Sequence, residues 1–99
     1  MSVLMIMEWA GVTEEQYDAA RNLINLNLGG DAPKGGMFHV SAITDKGLRV
    51  VDIWESAEEF QTFVDNRLMP GVQQLGIVGE PSVEIHPVHA LFTPAFEHK

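Results

Sequence analysis

The sequence predicts an α+β domain in the order strand–helix–strand–strand–helix–strand, with a four-stranded antiparallel sheet carrying both helices on one face. Three observations predict it. Thr13-Glu14-Glu15-Gln16 and Ser56-Ala57-Glu58-Glu59 are capping boxes, each opening a segment with apolar residues at helical spacing. Residues 37–44 and 48–55 are strand-like runs of equal length joined by Asp45-Lys46-Gly47, the pattern of a hairpin. Apolar runs at 3–8 and 83–89 bracket these elements. Right-handed crossovers place the first and third strands at the sheet centre, the ferredoxin-like arrangement.

Each element has its own grammar. Val3 to Glu8 is almost continuously apolar and reads as a strand covered on both faces. After the Thr13 cap, Tyr17, Ala20, Leu23, Ile24 and Leu28 recur on one side of a helix expected over 13–28, with Gly29-Gly30 as its stop. Asp31 to Gly36 is a loop by composition. The helix opened by Ser56 presents Phe60, Phe63, Val64 and Leu68. Pro70 must break or restart it, and a short turn through Val72 and Leu75 follows to Gly76. Pro87 cannot donate to a ladder, so the last strand belongs at an edge.

Ninety-nine residues suffice for one domain, spanning 1–99. A chain of this size buries only roughly 60–65% of its unfolded surface, yet 45% of its residues are apolar. Strands this rich in valine, isoleucine and methionine leave the helix-free sheet face apolar too. A second copy of the chain is the expected cover, with Leu91, Phe92 and Phe96 of the 90–99 tail packing on the partner. Absence of cysteine excludes a disulfide framework, a thiolate nucleophile and a cysteine zinc site. Fourteen acidic against six basic residues give a net charge of −8, which disfavours nucleic acid and anionic membranes as partners. The N-terminus has no basic segment ahead of its short apolar run, which points to a cytoplasmic protein.

Candidate chemistry gathers on the strands. Asp52 lies mid-strand between Val51 and Ile53, where a lone carboxylate is costly to bury. It is either a general base or orienting carboxylate at a pocket wall, or a structural group paired with Arg49, Ser41 or a partner subunit. Trp54 shares its face and is either a stacking wall for a flat ligand or core. Phe38, Tyr17 and Phe63 are the other aromatic side chains expected to bind a substrate. His39 depends on hairpin register. A Lys46-Gly47 loop sets His39 opposite Trp54 and Ser41 opposite Asp52. A three-residue Asp45-Lys46-Gly47 loop turns His39 to the other side. His86 is a candidate for polarising a carbonyl or enolate oxygen. His86 and His89 fall on opposite strand faces, so no metal site is expected, and no phosphate-binding or dinucleotide glycine pattern is present.

The segment Arg49-Val50-Val51-Asp52-Ile53-Trp54-Glu55-Ser56-Ala57-Glu58-Glu59-Phe60 resembles the dimeric α/β-barrel superfamily, in which a strand ending Trp-Glu-Ser runs into a helix opening Glu-Glu-Phe. The nearest group is the antibiotic-biosynthesis-monooxygenase type. The resemblance implies a homodimer with facing sheets and a pocket in each subunit between sheet and helices. It also implies a small-molecule enzyme of the cofactor-independent monooxygenase kind, with no cofactor. Haem-degrading members carry a histidine after the second helix begins. This chain has none between Phe60 and Ile85, and Gln73 and Gln74 stand near that place, so haem degradation is not expected. The competing expectations are a metabolite-binding or sensing dimer, and a purely structural dimer whose pocket is filled by Phe38, Phe60, Phe63, Met37 and Met69.

Overall fold

The computed structural model of the protein describes residues 1–26 and 30–96. Its elements are β1 (Val3–Ala10), α1 (Glu14–Leu23), β2 (Gly36–Thr44), β3 (Gly47–Trp54), α2 (Ala57–Phe63), α3 (Met69–Gln74) and β4 (Ser82–Pro87). A π-helical turn, Val64–Leu68, joins α2 to α3, and a 3-10 turn, Pro94–Phe96, follows β4. The four strands pair antiparallel in the order β2-β3-β1-β4, so the first and third are central and the fold is the ferredoxin-like one expected.

The Thr13 capping box forms in full: the Thr13 hydroxyl accepts from the Gln16 amide, and the Gln16 side chain accepts from the Thr13 amide. The far end of α1 differs from the sequence expectation. The helix stops at Leu23, because Asn25 adopts a left-handed conformation (φ 61°). The Leu26 amide then donates to the Arg21 carbonyl, and the Asn25 amide to the Asn22 carbonyl. This Schellman motif satisfies carbonyls that a continuing helix would have used. Leu28 and Gly29, assigned to the helix end from sequence, lie outside the described residues.

The β2–β3 hairpin adopts neither of the two expected loops. Thr44 pairs with Gly47 across a loop of Asp45 and Lys46, which sets His39 directly opposite Asp52. Gly47 explains the choice. Its φ is 132°, and a Cβ there would stand 2.4 Å from the Trp9 carbonyl oxygen and 2.6 Å from the Gly11 nitrogen. Only glycine can enter the strand so close to the β1–α1 corner, where the Gly11 amide donates to the Lys46 carbonyl.

On the helix side of the sheet, Met5, Met7 and Trp9 of β1 and Leu48, Val50 and Trp54 of β3 pack against Phe60, Phe63 and Val72. A fully buried side chain of this size contributes about 1.5–3 kcal/mol relative to exposure. Pro70 is the second residue of α3, directly after the π-helical turn. The preceding π-turn closes through a bond from the Met69 amide to the Val64 carbonyl, re-aiming the helix over the sheet. β4 is an edge strand ending at Pro87, as its proline requires.

Candidate active site

Between the helix side of the sheet and the helices lies a cavity of about 450 Å³, within the range of small-molecule sites. β3 contributes Val50, Asp52 and Trp54 to its wall, β1 contributes Met5, Met7 and Trp9, and β2 contributes His39. Tyr17 and Arg21 of α1, Phe60 and Phe63 of α2, and Leu68 and Val72 face them. The 30–38 segment supplies Ala32, Pro33, Met37 and Phe38.

Strand alternation makes Asp52 and Trp54 neighbours on one face, and the register adds His39 beside them. Asp52 is 6% exposed, yet both carboxylate oxygens are satisfied. Oδ1 lies 2.6 Å from His39 Nδ1, and Oδ2 accepts from the Trp54 indole N–H at 3.1 Å. A carboxylate only accepts, so His39 Nδ1 carries the proton in this contact and, in the neutral ring, Nε2 is the acceptor. The Tyr17 hydroxyl meets Nε2 at 2.6 Å, with the two rings within 8° of parallel. Tyr17, His39, Asp52 and Trp54 therefore form one hydrogen-bonded chain from helix to sheet. The buried end holds the carboxylate rigidly, and the His39 side chain, 41% exposed, stands at the cavity wall. Of the partners within the chain considered for Asp52, neither Arg49 nor Ser41 is the one found: Arg49 instead pairs with Glu8 on the opposite sheet face.

Aromatic groups frame the rest. Trp54 packs edge-on to Phe60 and tilted on Phe63, with ring centroids 5.5 and 5.4 Å away. The pairing of β2 is irregular between Gly36 and Phe38; Phe38 borders the cavity there, but it pairs with Ile53, so alternation turns it to the sheet face away from the helices. Its ring meets Phe96 of the 3-10 turn at 6.2 Å. Of the seven residues singled out from sequence, the structure brings five together, His39, Asp52, Trp54, Tyr17 and Phe63, while Phe38 borders the cavity from the edge strand with its register on the opposite face. His86 is not among them. It pairs with Leu4, on the sheet face away from the helices, and its Nε2 lies 3.4 Å from Glu84. With Val83 and Ile85 pointing to the helix side, period-two alternation forces His86 outward. Sequence reasoning missed Arg21, whose guanidinium carbon sits 5.7 Å above the Tyr17 ring. Its spacing of one helical turn from Tyr17 was the available signal. Among the described residues no three histidine, aspartate or glutamate side chains gather as metal ligands would. Among the same residues no helix is long and apolar enough to cross a membrane.

No family model matches the sequence, and no curated protein matches it. Solved structures do share the fold, which is that of antibiotic-biosynthesis-monooxygenase-like proteins. The protein of unknown function NE2512 from Nitrosomonas europaea is similar with a TM-score of 0.64 and 15% identity, covering 94% of this chain and 93% of that one. SnoaB, a cofactor-independent oxygenase from Streptomyces nogalater, is similar with a TM-score of 0.61 and 7% identity, over 91% of this chain and 94% of that one. A monooxygenase from the gene ActVA-Orf6 of Streptomyces coelicolor, in complex with nanaomycin D, has a TM-score of 0.51 and 18% identity, over 94% and 91%.

Proposed function

We propose that this protein is a small-molecule enzyme of the cofactor-independent oxygenase type, working as a homodimer, with a flat aromatic substrate in each subunit's cavity. One observation carries the reading: His39, oriented by the buried Asp52, stands at the wall of an apolar cavity lined with aromatic rings. Trp54, Tyr17 and Phe63 offer stacking surfaces to a fused-ring compound. His39 is the general base, and Asp52 holds its ring and stabilises the imidazolium that forms.

Removal of a proton from an acidic position of such a substrate leaves an electron-rich anion that reduces dioxygen directly. For a ring methylene the balance is CH2 plus O2 giving C=O plus water. Two C–H bonds and the O–O bond break, one oxygen atom enters the new carbonyl, and the other leaves as water. The substrate supplies all the electrons, so the reaction calls for no further reductant. SnoaB and the ActVA-Orf6 monooxygenase, which share the fold, support the reaction class.

Oxygen uptake with a panel of anthrones and hydroquinones tests this. Wild-type protein is expected to consume oxygen with at least one compound, and His39→Ala to lose roughly 10²–10⁴-fold in rate. A folded protein that binds these compounds and consumes no oxygen would overturn the enzyme and leave a binding or sensing protein. One observation favours that second reading: both ring nitrogens of His39 and both oxygens of Asp52 already have partners within the chain.

A further inference from the structure

We infer that the cavity takes a flat aromatic ligand bearing a carboxylate, and that Arg21 is the residue that recognises that carboxylate. This deepens the reading of the cavity as a small-molecule site, on which it rests, by naming the ligand as an aromatic acid. It holds for an enzyme and for a binding protein alike.

The chain has three arginines. Arg49 pairs with Glu8 on the sheet face away from the helices, and Arg67 lies 3.9 Å from Asp31. Arg21 has no such mate among the described residues. With fourteen acidic residues against six basic, groups of opposite charge are plentiful, and the fold brings none of the described ones to Arg21. The side chain is half-buried and lines the cavity. Its Nη2 donates to the Leu26 carbonyl at 3.0 Å. Its Nε is buried with no hydrogen-bond partner, the one such side-chain atom among the described residues. A place in the last turn of α1 accounts for the charge and for the bond to Leu26, but not for the bare Nε. A buried donor without an acceptor is costly, and an acceptor brought by a ligand recovers that cost.

The rest of the wall selects the kind of acceptor. Asp52, the other charged group there, is already held by His39 and Trp54, so Arg21 leaves an uncompensated positive charge beside mostly apolar side chains. A neutral carbonyl would satisfy the donor and leave the charge. A carboxylate satisfies both, and its two oxygens match the fork of a guanidinium. A phosphate dianion calls for a second cation, and no other arginine or lysine lines the cavity among the described residues. The Tyr17 ring lies 5.7 Å from the guanidinium carbon and 6.2 Å from the His39 ring. A carboxylate on Arg21 therefore sets an attached ring system along Tyr17 towards His39.

The probes are 2-naphthoate, the uncharged 2-naphthamide of the same shape, and 2-naphthyl phosphate, titrated into the full chain by calorimetry at mildly alkaline pH. Wild type is expected to bind 2-naphthoate roughly tenfold or more tightly than 2-naphthamide. Arg21→Gln keeps a donor for the Leu26 carbonyl. It should lose roughly tenfold or more in affinity for 2-naphthoate and hold 2-naphthamide within a few-fold, and Arg21→Lys should restore part of the preference. An arginine with a structural role alone would move both probes together. Equal affinity of wild type for 2-naphthoate and 2-naphthamide would overturn the inference and leave the cavity as a site. An unchanged preference in Arg21→Gln would overturn it too, and tighter binding of 2-naphthyl phosphate would overturn the carboxylate. Should Arg21→Gln fail to fold, the wild-type comparison still decides. If no probe binds, the small-molecule reading of the cavity falls and the inference falls with it. A preference for 2-naphthoate without oxygen uptake defeats the oxygenase alone.

Discussion

Asp52 is the one carboxylate of β3 and lies between Val51 and Ile53, which sets it apart in the sequence. A buried carboxylate survives only where donors surround it, and His39 and Trp54 are those donors. Asp52→Ala strands two N–H groups and is expected to lower stability by about 2 kcal/mol, measured by urea unfolding. Asp52→Asn should cost less in stability but more in chemistry. The amide presents an N–H towards His39 in one orientation, which moves the ring proton to Nε2 and removes the acceptor that Tyr17 needs. Turnover of an accepted substrate should then fall roughly 10²–10⁴-fold, and equal turnover would show that the tautomer is irrelevant. Residue identities were legible here, but partners were not. By charge alone Arg49 is as good a mate for Asp52 as His39, but alternation places Arg49 on the other face beside Glu8.

At the scale of elements, the caps, the hairpin and the proline restart were legible because each is written within a few adjacent residues. Thr13, Ser56 and Pro70 act through their own backbone neighbours, and all three do what their sequence context predicts. The hairpin register was not legible, since it depends on Gly47 meeting Trp9 and Gly11 from another part of the chain. Gly47→Ala tests that dependence. The added methyl meets backbone, and the φ of 132° strains any other residue, so a loss of roughly 2 kcal/mol is expected in thermal or urea unfolding. A loss near zero would mean that the corner yields. The early end of α1 has the same character: Asn25 is a helix stop only when its left-handed conformation can be used by Leu26 and Arg21.

For the whole molecule, the question is what covers the sheet face turned away from the helices. Three rows cross it: Phe38, Ile53, Leu4 and His86, then Val40, Val51, Ile6 and Glu84, then Ala42, Arg49, Glu8 and Ser82. The β1 and β3 members of the first two rows are apolar, the third row carries the Arg49–Glu8 pair, and Val40 at the edge is 48% exposed. The tail covers part of the β2 end through Phe96 on Phe38, while Phe92 remains 82% exposed. Homodimerisation through this face is the proposed cover, and it makes a specific prediction. Sedimentation should give twice the chain mass of 10.9 kDa for wild type, and Val40→Asp should shift the protein towards monomer. A wild-type monomer would remove the dimer from the proposal while leaving the cavity intact, because the cavity is on the other side of the sheet.

By itself the sequence determined the element order, the caps, the central and edge strands and the residue types available to the site. These follow from local periodicity and from backbone preferences that act over a few residues. Tertiary structure alone decided that His39 faces Asp52, that His86 does not, and that Tyr17 and Arg21 complete the chain. Each of those outcomes depends on register and on contact between elements far apart in sequence. A shift of one residue in pairing turns a side chain from the cavity to the opposite face.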